Sequence, residues 1–218
     1  MGTTMASREF FPQRPKSHPM IYAYSDSNPL YKGLLKVGYT EKDVEKRVAQ
    51  QYPTKRPDGL VPYQIVLAES AMRNDGTCFT DHDVHQLLRK KRVNNVGGEW
   101  FHCTAEEVKA AIVAIKTGTA NLENRTQNFA LRPEQKEAID KTIEYFASAK
   151  KDDPSRAPKF LWNAKMRFGK TFAAYQLARR MGLKKILVLT FKPAVEAAWE
   201  EDLMTHVDFE GWQFICRG

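Results

Sequence analysis

A Gly-Lys-Thr triplet in the second half of the chain has the residue types of a phosphate-binding loop. Residues 164–171 read AKMRFGKT and match the pattern GxxxxGK[ST], except that Ala164 replaces the first glycine. In such a loop, backbone N–H groups at a helix N-terminus bind phosphate oxygens, the lysine reaches the β- and γ-phosphates, and the hydroxyl binds Mg²⁺. We therefore predict that Gly169, Lys170 and Thr171 bind a nucleotide. The alternative is a chance match on a surface helix.

The composition is that of a soluble globular protein with one or two domains. Of 218 residues, 42% are hydrophobic and 28% are charged, and the formal net charge is +8. This excess favours a polyanion such as DNA as a partner. No run of about 18 apolar residues predicts a membrane span. The three cysteines are far apart, which argues against a zinc site or a disulfide framework and favours a reducing, cytoplasmic compartment.

The first half of the chain is predicted to be a small α/β domain at residues 19–116, after a flexible lead-in at 1–18. Three alternating stretches, MIYAY, LLKVGY and YQIVLAES, predict strands. EKDVEKRVAQQ and DHDVHQLLRKKR predict helices. NNVGGEWFHC predicts a turn with a short strand, and Thr104 with Glu107 predicts a capping box at the start of another helix.

The second half is predicted to be a different α/β domain at residues 131–218, after a polar linker at 117–130. Pro133 opens a predicted helix, and KFLWNA and KKILVLTF predict strands that alternate with helices. Because strands joined by helices pair in parallel, we expect a parallel sheet here.

The order of motifs in the second half resembles the first motor domain of superfamily 2 helicases and of type I and type III restriction translocases. LRPEQKEAI precedes the Gly-Lys-Thr loop and ILVLTFKPAVEAAWEEDL follows it. The resemblance implies a partial RecA-like parallel α/β domain in which Gln135 contacts adenine. It also places Thr190, Phe191 and Lys192 near nucleic acid. Gln135 could instead be an ordinary solvated helix residue, and Lys192 could equally lack such a role.

This resemblance covers only the start of such a motor. The DExx box is absent, and ATP hydrolysis requires groups on every side of the γ-phosphate. We therefore expect no ATP hydrolysis by these residues alone, and we expect the chain to be the N-terminal part of a longer, ATP-dependent DNA helicase or translocase. Other subunits of a restriction or phage-defence complex are expected partners.

The order of motifs in the first half resembles the GIY-YIG nuclease superfamily, in its phage-derived branch. MIYAY, KVGYT, an arginine on the next helix, and GGEWF carry the resemblance. It implies a small α/β domain with a mainly antiparallel three-stranded sheet, which hydrolyses DNA with one Mg²⁺ or Mn²⁺ ion. Tyr22 is the implied strand tyrosine, and Arg47 is the implied phosphate-binding arginine. Arg47 could instead be a solvated residue of a basic helix.

Other implied site residues depart from the family pattern. Lys36 stands where the second-motif tyrosine is expected, and Tyr39 is a nearby hydroxyl that could replace it. Asp81 is the implied metal ligand, with Asp83 as an alternative. His85, four residues after Asp81, is a candidate base or hydrogen-bond donor, or else a core or surface histidine.

Two further groups have open alternatives. Glu99, in GGEWF, is a second candidate metal ligand, or it forms a salt bridge with Arg47. The basic stretch at residues 89–92 could follow a DNA backbone, or it could stabilise the negative end of its helix. That stretch comprises Arg89, Lys90, Lys91 and Arg92.

The sequence thus predicts a metal-dependent endonuclease domain fused to the start of an ATP-dependent motor, of a restriction or phage-defence type. A second hypothesis keeps the fold of the first domain but makes it an inactive module that binds DNA or docks another protein. A third hypothesis is a short nucleotide-binding regulator.

Overall fold

The computed structural model describes residues 18–54, 56–190 and 195–216. The chain divides into two compact units, Met1–Lys116 and Thr117–Gly218. The predicted lead-in lies outside the described residues, apart from His18. Phe191 and Lys192, which were predicted to lie near nucleic acid, also lie outside the described residues.

The first unit contains one antiparallel five-stranded sheet with the strand order β3-β1-β2-β5-β4. Its strands are β1 (Met20–Asp26), β2 (Leu34–Thr40), β3 (Tyr63–Ser70), β4 (Asn94–Gly97) and β5 (Trp100–His102). Its helices are α1 (Val44–Ala49), α2 (Asp81–Lys90) and α3 (Ala105–Thr117), and a 3₁₀ turn spans Pro29–Tyr31.

The antiparallel sheet and its first three strands were predicted, but the expected number of strands was wrong. NNVGGEWFHC forms two strands instead of a turn and one strand, because Gly97 and Gly98 both adopt positive φ angles, 159° and 54°, and turn the chain back on itself. Strand β5 then pairs with β2, with Leu35 opposite Phe101. The result is a sheet of five strands instead of three.

The alternation of side chains along β1 gives the sheet two different faces. Ile21 and Ala23 point to one face, where they join Val37 in a buried hydrophobic core. Tyr22 and Tyr24 point to the opposite face and belong to a separate cluster with Val48 of α1. We call this second surface the tyrosine face.

Helices α2 and α3 cover the hydrophobic core. Val84 and Leu88 of α2 are fully buried there, as is Val108 of α3. The predicted capping box of α3 is confirmed, because the Thr104 N–H donates to Glu107 Oε2 at 2.9 Å and the Glu107 N–H donates to Thr104 Oγ1 at 3.3 Å. The two helices therefore cover one face of the sheet, and the tyrosine face is the opposite one.

The second unit is helical where the structure describes it. Its elements are α4 (Pro133–Asp152), α5 (Lys170–Arg180), α6 (Glu196–Thr205) and a 3₁₀ turn at Val207–Phe209. Helix α4 begins at Pro133 as predicted. A small core contains Phe172 and Tyr175 of α5, Leu203 of α6, and Phe209.

The parallel RecA-like sheet is absent from the described part of this unit. Residues 159–164 and 184–190, which were predicted to be strands, form no ladder there, and Leu161, Leu187 and Leu189 are more than 80% exposed. An apolar run becomes a strand only when neighbouring strands satisfy its backbone groups, and the described residues of this unit supply none. The RecA-like prediction is therefore wrong for these residues.

Two buried polar residues, Arg125 and His206, connect separate segments of the second unit. The Arg125 guanidinium is enclosed, donates to the carbonyls of Leu203 and His206, and pairs with Glu123 at 2.5 Å. His206 Nδ1 accepts from the Asp208 N–H at 3.2 Å, so its Nε2 carries the proton that is donated to the Phe129 carbonyl at 2.9 Å.

The described helices include none with the length and apolar character that crossing a lipid bilayer requires.

Candidate active site on the tyrosine face

Tyr22 lies at the centre of the tyrosine face, and its ring lies over Gly38. The two residues are opposite each other on β1 and β2. A Cβ atom at position 38 would be only 2.6 Å from both Cζ and Oη of Tyr22. The glycine of the KVGYT segment is therefore required by the tyrosine ring on the neighbouring strand.

Helix α1 brings two polar side chains to the Tyr22 hydroxyl. Asp43 caps this helix by accepting from the Lys46 N–H at 2.9 Å, and Val48 packs fully buried against the sheet. The helical turn continues beyond Ala49, since the Gln51 N–H donates to the Val48 carbonyl at 2.9 Å. Arg47 and Gln51 are four residues apart and therefore share one side of this turn.

Gln51 connects three side chains of the sheet. Its Nε2 donates to the Tyr22 hydroxyl at 3.0 Å, and its Oε1 accepts from the Tyr24 hydroxyl at 2.8 Å. The Lys36 ammonium donates to the same Oε1. The sequence analysis did not identify Gln51, and its only sequence signal is its position one helical turn after Arg47.

Lys36 and Glu99 form an ion pair beside this network. Their Nζ and Oε2 atoms are 3.3 Å apart, and the side chains are 21% and 43% exposed. A pair this accessible to solvent contributes about 0–1 kcal/mol, so another cation could replace Lys36 as the partner of Glu99 at low energetic cost. Glu99 was predicted either to bind a metal ion or to form a salt bridge with Arg47. In the structure its salt-bridge partner is Lys36.

The pKa of the Tyr22 phenol reflects opposing effects. Burial raises it above its usual value, and the charge of Glu99 adds a smaller increase. A hydrogen bond from Gln51, together with the charge and a hydrogen bond from Arg47, lowers it. Arg47 of α1 and Gln51, in the turn that follows α1, therefore both affect the Tyr22 phenol. Tyr22 itself is 1% exposed.

Aromatic rings support the network from the side. Tyr24 contacts the edges of Tyr52, Tyr63 and Trp100 with centroid separations of 5.9, 6.0 and 5.7 Å. Burial raises the pKa of Tyr24 to about 12, so this residue remains a neutral donor at physiological pH. The packing of these rings fixes the position of Tyr24, and the hydrogen bond from the Tyr24 hydroxyl in turn helps to fix Gln51.

The other predicted residues of the first unit lie on the opposite side of the sheet. Helix α2 carries Asp81 and His85, and it packs on the hydrophobic core instead of the tyrosine face. His85 is 3% exposed, and its Nε2 lies 2.8 Å from the Val37 carbonyl oxygen. Tyr39 also packs on this side, where burial and then its hydrogen bond to Glu41 raise its pKa. The structure therefore does not bring Tyr39, Asp81 and His85 to Tyr22.

Asp83, the alternative to Asp81, is already engaged. Its Oδ2 accepts from the Thr80 N–H at 2.9 Å at the start of α2, and its Oδ1 is 3.7 Å from an Arg73 nitrogen. Asp83 is therefore a helix-capping residue of α2.

The basic stretch at residues 89–92 closes α2 and leads into β4. The Arg89 guanidinium is bonded to Asn95 Oδ1 at 3.3–3.4 Å and lies 5.6 Å from the centre of the Phe101 ring. Lys90 and Arg92 are exposed, and Lys91 is partly exposed. Contact of this stretch with DNA stays a prediction.

In the second unit, the Gly-Lys-Thr loop leads directly into α5. Gly169 caps the helix with φ 77°, and Lys170 Nζ is 3.2 Å from the Lys165 carbonyl oxygen. Gln135 is 3% exposed, and its Nε2 donates to the Phe168 carbonyl at 2.7 Å. Gln135 is thus not a solvated residue but a support for the loop. Nucleotide binding by Gly169, Lys170, Thr171 and Gln135 stays a prediction.

The tyrosine face has one carboxylate, Glu99, that is a candidate ligand for a hard divalent cation, and metal binding there stays a prediction. Within the described ranges, no three His, Cys, Asp or Glu side chains converge as a metal cluster. Mg²⁺ nevertheless often binds through one carboxylate and completes its shell with water and substrate phosphate. Glu99 could supply that carboxylate, since it is partly exposed and has a replaceable partner.

Comparison with known proteins places the first unit in context. Residues 20–116 match the family model of the T5orf172 domain. A stretch of 77 residues is 40% identical to the C-terminus of a putative type II restriction enzyme and methyltransferase from Mycoplasma pneumoniae, and covers 35% of this chain and 10% of that protein. The chain thus spans about a tenth of that relative. No solved structure gives a significant match.

These findings correct both family assignments made from the sequence. The matching family over residues 20–116 is T5orf172 and not GIY-YIG, so the GIY-YIG assignment is wrong. The superfamily 2 helicase assignment is also wrong, because that match does not extend beyond residue 116 and the described part of the second unit lacks the parallel sheet. The motifs behind both assignments are short and consist of common residues, so their order does not distinguish one family from another.

Proposed function

We propose that residues 20–116 form a DNA endonuclease domain of a restriction-related protein. The observation that carries this proposal is the cluster on the tyrosine face, where Tyr22, Lys36, Arg47 and Glu99 come together around Gln51. The T5orf172 match and the similarity to a restriction enzyme C-terminus support it.

Each residue type in this cluster suits phosphodiester hydrolysis. The Arg47 guanidinium is exposed and can bind two phosphate oxygens at once. Lys36 adds a second positive charge, and both cations would stabilise the charge that develops on the phosphate in the transition state. Tyr22 supplies a hydroxyl held at a defined position.

Glu99 would hold a Mg²⁺ or Mn²⁺ ion in this proposal. Such an ion would polarise the phosphate and lower the pKa of a bound water. The carboxylate would then exchange Lys36 for the metal, and the ammonium, still bonded to Gln51 Oε1, would add its positive charge near the phosphate. Asp81 lies on α2 and has no part in this site.

A second candidate is a module that binds DNA or docks a protein without cutting. The Lys36–Glu99 ion pair favours it, since an occupied carboxylate is not open to metal. The two candidates differ in their dependence on divalent metal, because phosphate binding by Arg47 and Lys36 alone requires none.

The test is nicking of supercoiled plasmid by the whole chain, with Mg²⁺ or Mn²⁺ and with EDTA. Arg47→Ala is compared with Lys46→Ala, which removes a neighbouring exposed positive charge from the same helix. We expect metal-dependent nicking that falls by about 100-fold or more in Arg47→Ala and is retained in Lys46→Ala. Absence of nicking by the wild type, with DNA binding that is unchanged by EDTA, would support the non-cutting module.

A further inference from the structure

The amide of Gln51 is held in one orientation by its three partners. Its Oε1 accepts from Lys36 and from the Tyr24 hydroxyl. If the amide were flipped, the NH₂ group would face the Lys36 ammonium, which is only a donor. The network therefore directs Nε2, and its hydrogens, toward the Tyr22 oxygen.

The Tyr22 oxygen consequently accepts a hydrogen bond from Gln51 at 3.0 Å. A phenol oxygen accepts through its lone pairs while its own proton points elsewhere. With one acceptor position filled by the Gln51 amide, the Tyr22 proton is directed away from that amide.

Arg47 and Gln51 differ in how firmly they are held. Arg47 is exposed, whereas Gln51 is partly buried and bonded to residues of both β1 and β2. When Arg47 turns to a phosphate, Tyr22 keeps the hydrogen bond from Gln51. That bond then determines the position and the protonation of the Tyr22 oxygen.

We infer that Gln51 is a positioning residue, which fixes the Tyr22 oxygen as a hydrogen-bond acceptor while Arg47 binds the phosphate. This inference rests on the proposed nuclease function, in which Arg47 binds substrate. The contact between Gln51 and Tyr22 exists without substrate, so it can be measured independently of cleavage.

The decisive variant is Gln51→Glu, which keeps the size of the side chain and replaces the NH₂ donor by an acceptor. A carboxylate there would accept the Tyr22 proton instead of donating to its oxygen, and would stabilise the neutral phenol. Gln50→Glu is the matched control, because it introduces the same charge at the adjacent, exposed position.

The measurement is a ¹⁹F NMR titration of the whole chain labelled with 3-fluorotyrosine. The chain has eight tyrosines, and the resonance missing from Tyr22→Phe assigns Tyr22. We expect Gln51→Glu to raise the Tyr22 pKa by about 1 unit or more, and Gln50→Glu to leave it nearly unchanged. The pH profile of plasmid nicking should shift in the same direction in Gln51→Glu.

The two claims can fail separately. An unchanged Tyr22 titration in Gln51→Glu would overturn the positioning role, whatever the nicking assay gives. A shifted titration combined with a wild type that never nicks DNA would refute the nuclease and leave the contact intact. A shifted titration with an unshifted nicking profile would also overturn the positioning role in cleavage.

Discussion

A methyl group at position 38 should displace the Tyr22 ring. An alanine Cβ there would lie 2.6 Å from Cζ and Oη of Tyr22, whereas nonbonded carbon atoms prefer separations of about 3.5–4 Å. The ring would have to move by about 1 Å, which would disturb the geometry of the 3.0 Å bond from Gln51. Overpacking of this kind costs about 1–3 kcal/mol, so we expect Gly38→Ala to lower the free energy of unfolding by that amount.

A double-mutant cycle with Tyr22→Val separates the clash from other effects. Valine suits a strand and is too short to reach Gly38, so Gly38→Ala should cost almost nothing in that background. Urea unfolding of the four proteins measures the difference, and plasmid nicking by Gly38→Ala reports on the site. An equal cost in both backgrounds would refute the reasoning, since the ring could then not be the cause.

Three other predictions concern buried polar groups. Arg125→Met should lower the free energy of unfolding by about 1–3 kcal/mol in urea, because buried carbonyls lose their donor, whereas the exposed Arg156→Met should not. Burial lowers the pKa of His206, so the stability that it contributes is full above its unfolded pKa and is lost as pH falls through the folded value. Thermal unfolding between pH 8 and 5 should show that loss in the wild type and less of it in His206→Gln. Burial raises the pKa of Cys103 to about 12, so a brief alkylation at pH 8 should label Cys78 well before Cys103, as read by mass spectrometry.

The first three strands of the first unit were predictable because their sequences are rich in apolar and aromatic residues that favour strands. Strand β3 also alternates between partly buried and exposed positions, whereas β1 and β2 are largely buried on both faces. The missed strand, β4, has four residues and two consecutive glycines at its end, and its pairing depends on a distant strand through β5. A short stretch of sequence does not show that β5 will pair with the distant strand β2.

The second unit was less predictable because its apolar runs do not form strands in the described residues. The stretch at residues 184–190 has the composition of a buried strand, yet Leu187 and Leu189 are exposed. An apolar composition shows that a segment can form a buried strand. It does not show whether neighbouring strands are present to pair with it. The helices, whose hydrogen bonds are local, were predicted at nearly their observed positions.

The site was partly predictable for the same reason. Tyr22, Lys36, Arg47 and Glu99 were predicted from the resemblance to a nuclease family, and their role in catalysis stays a prediction. In the structure, Gln51 contacts Tyr22 and Lys36, and Lys36 pairs with Glu99. Asp81 and His85 were expected with them, but the packing of α2 places both on the other side of the sheet. The face on which a helix packs follows from tertiary contacts. Gln51 was missed because an amide near a helix end has no distinguishing pattern.

In the proposed nuclease, the tyrosine face and not the α2 face holds the chemistry. The sharpest test compares plasmid nicking by Glu99→Gln and Asp81→Asn with Mg²⁺ or Mn²⁺, since each change removes one carboxylate charge with little change in size. We expect Glu99→Gln to lose about 100-fold or more of the nicking rate, and Asp81→Asn to stay close to wild type. Loss in Asp81→Asn with full activity in Glu99→Gln would refute the proposed site.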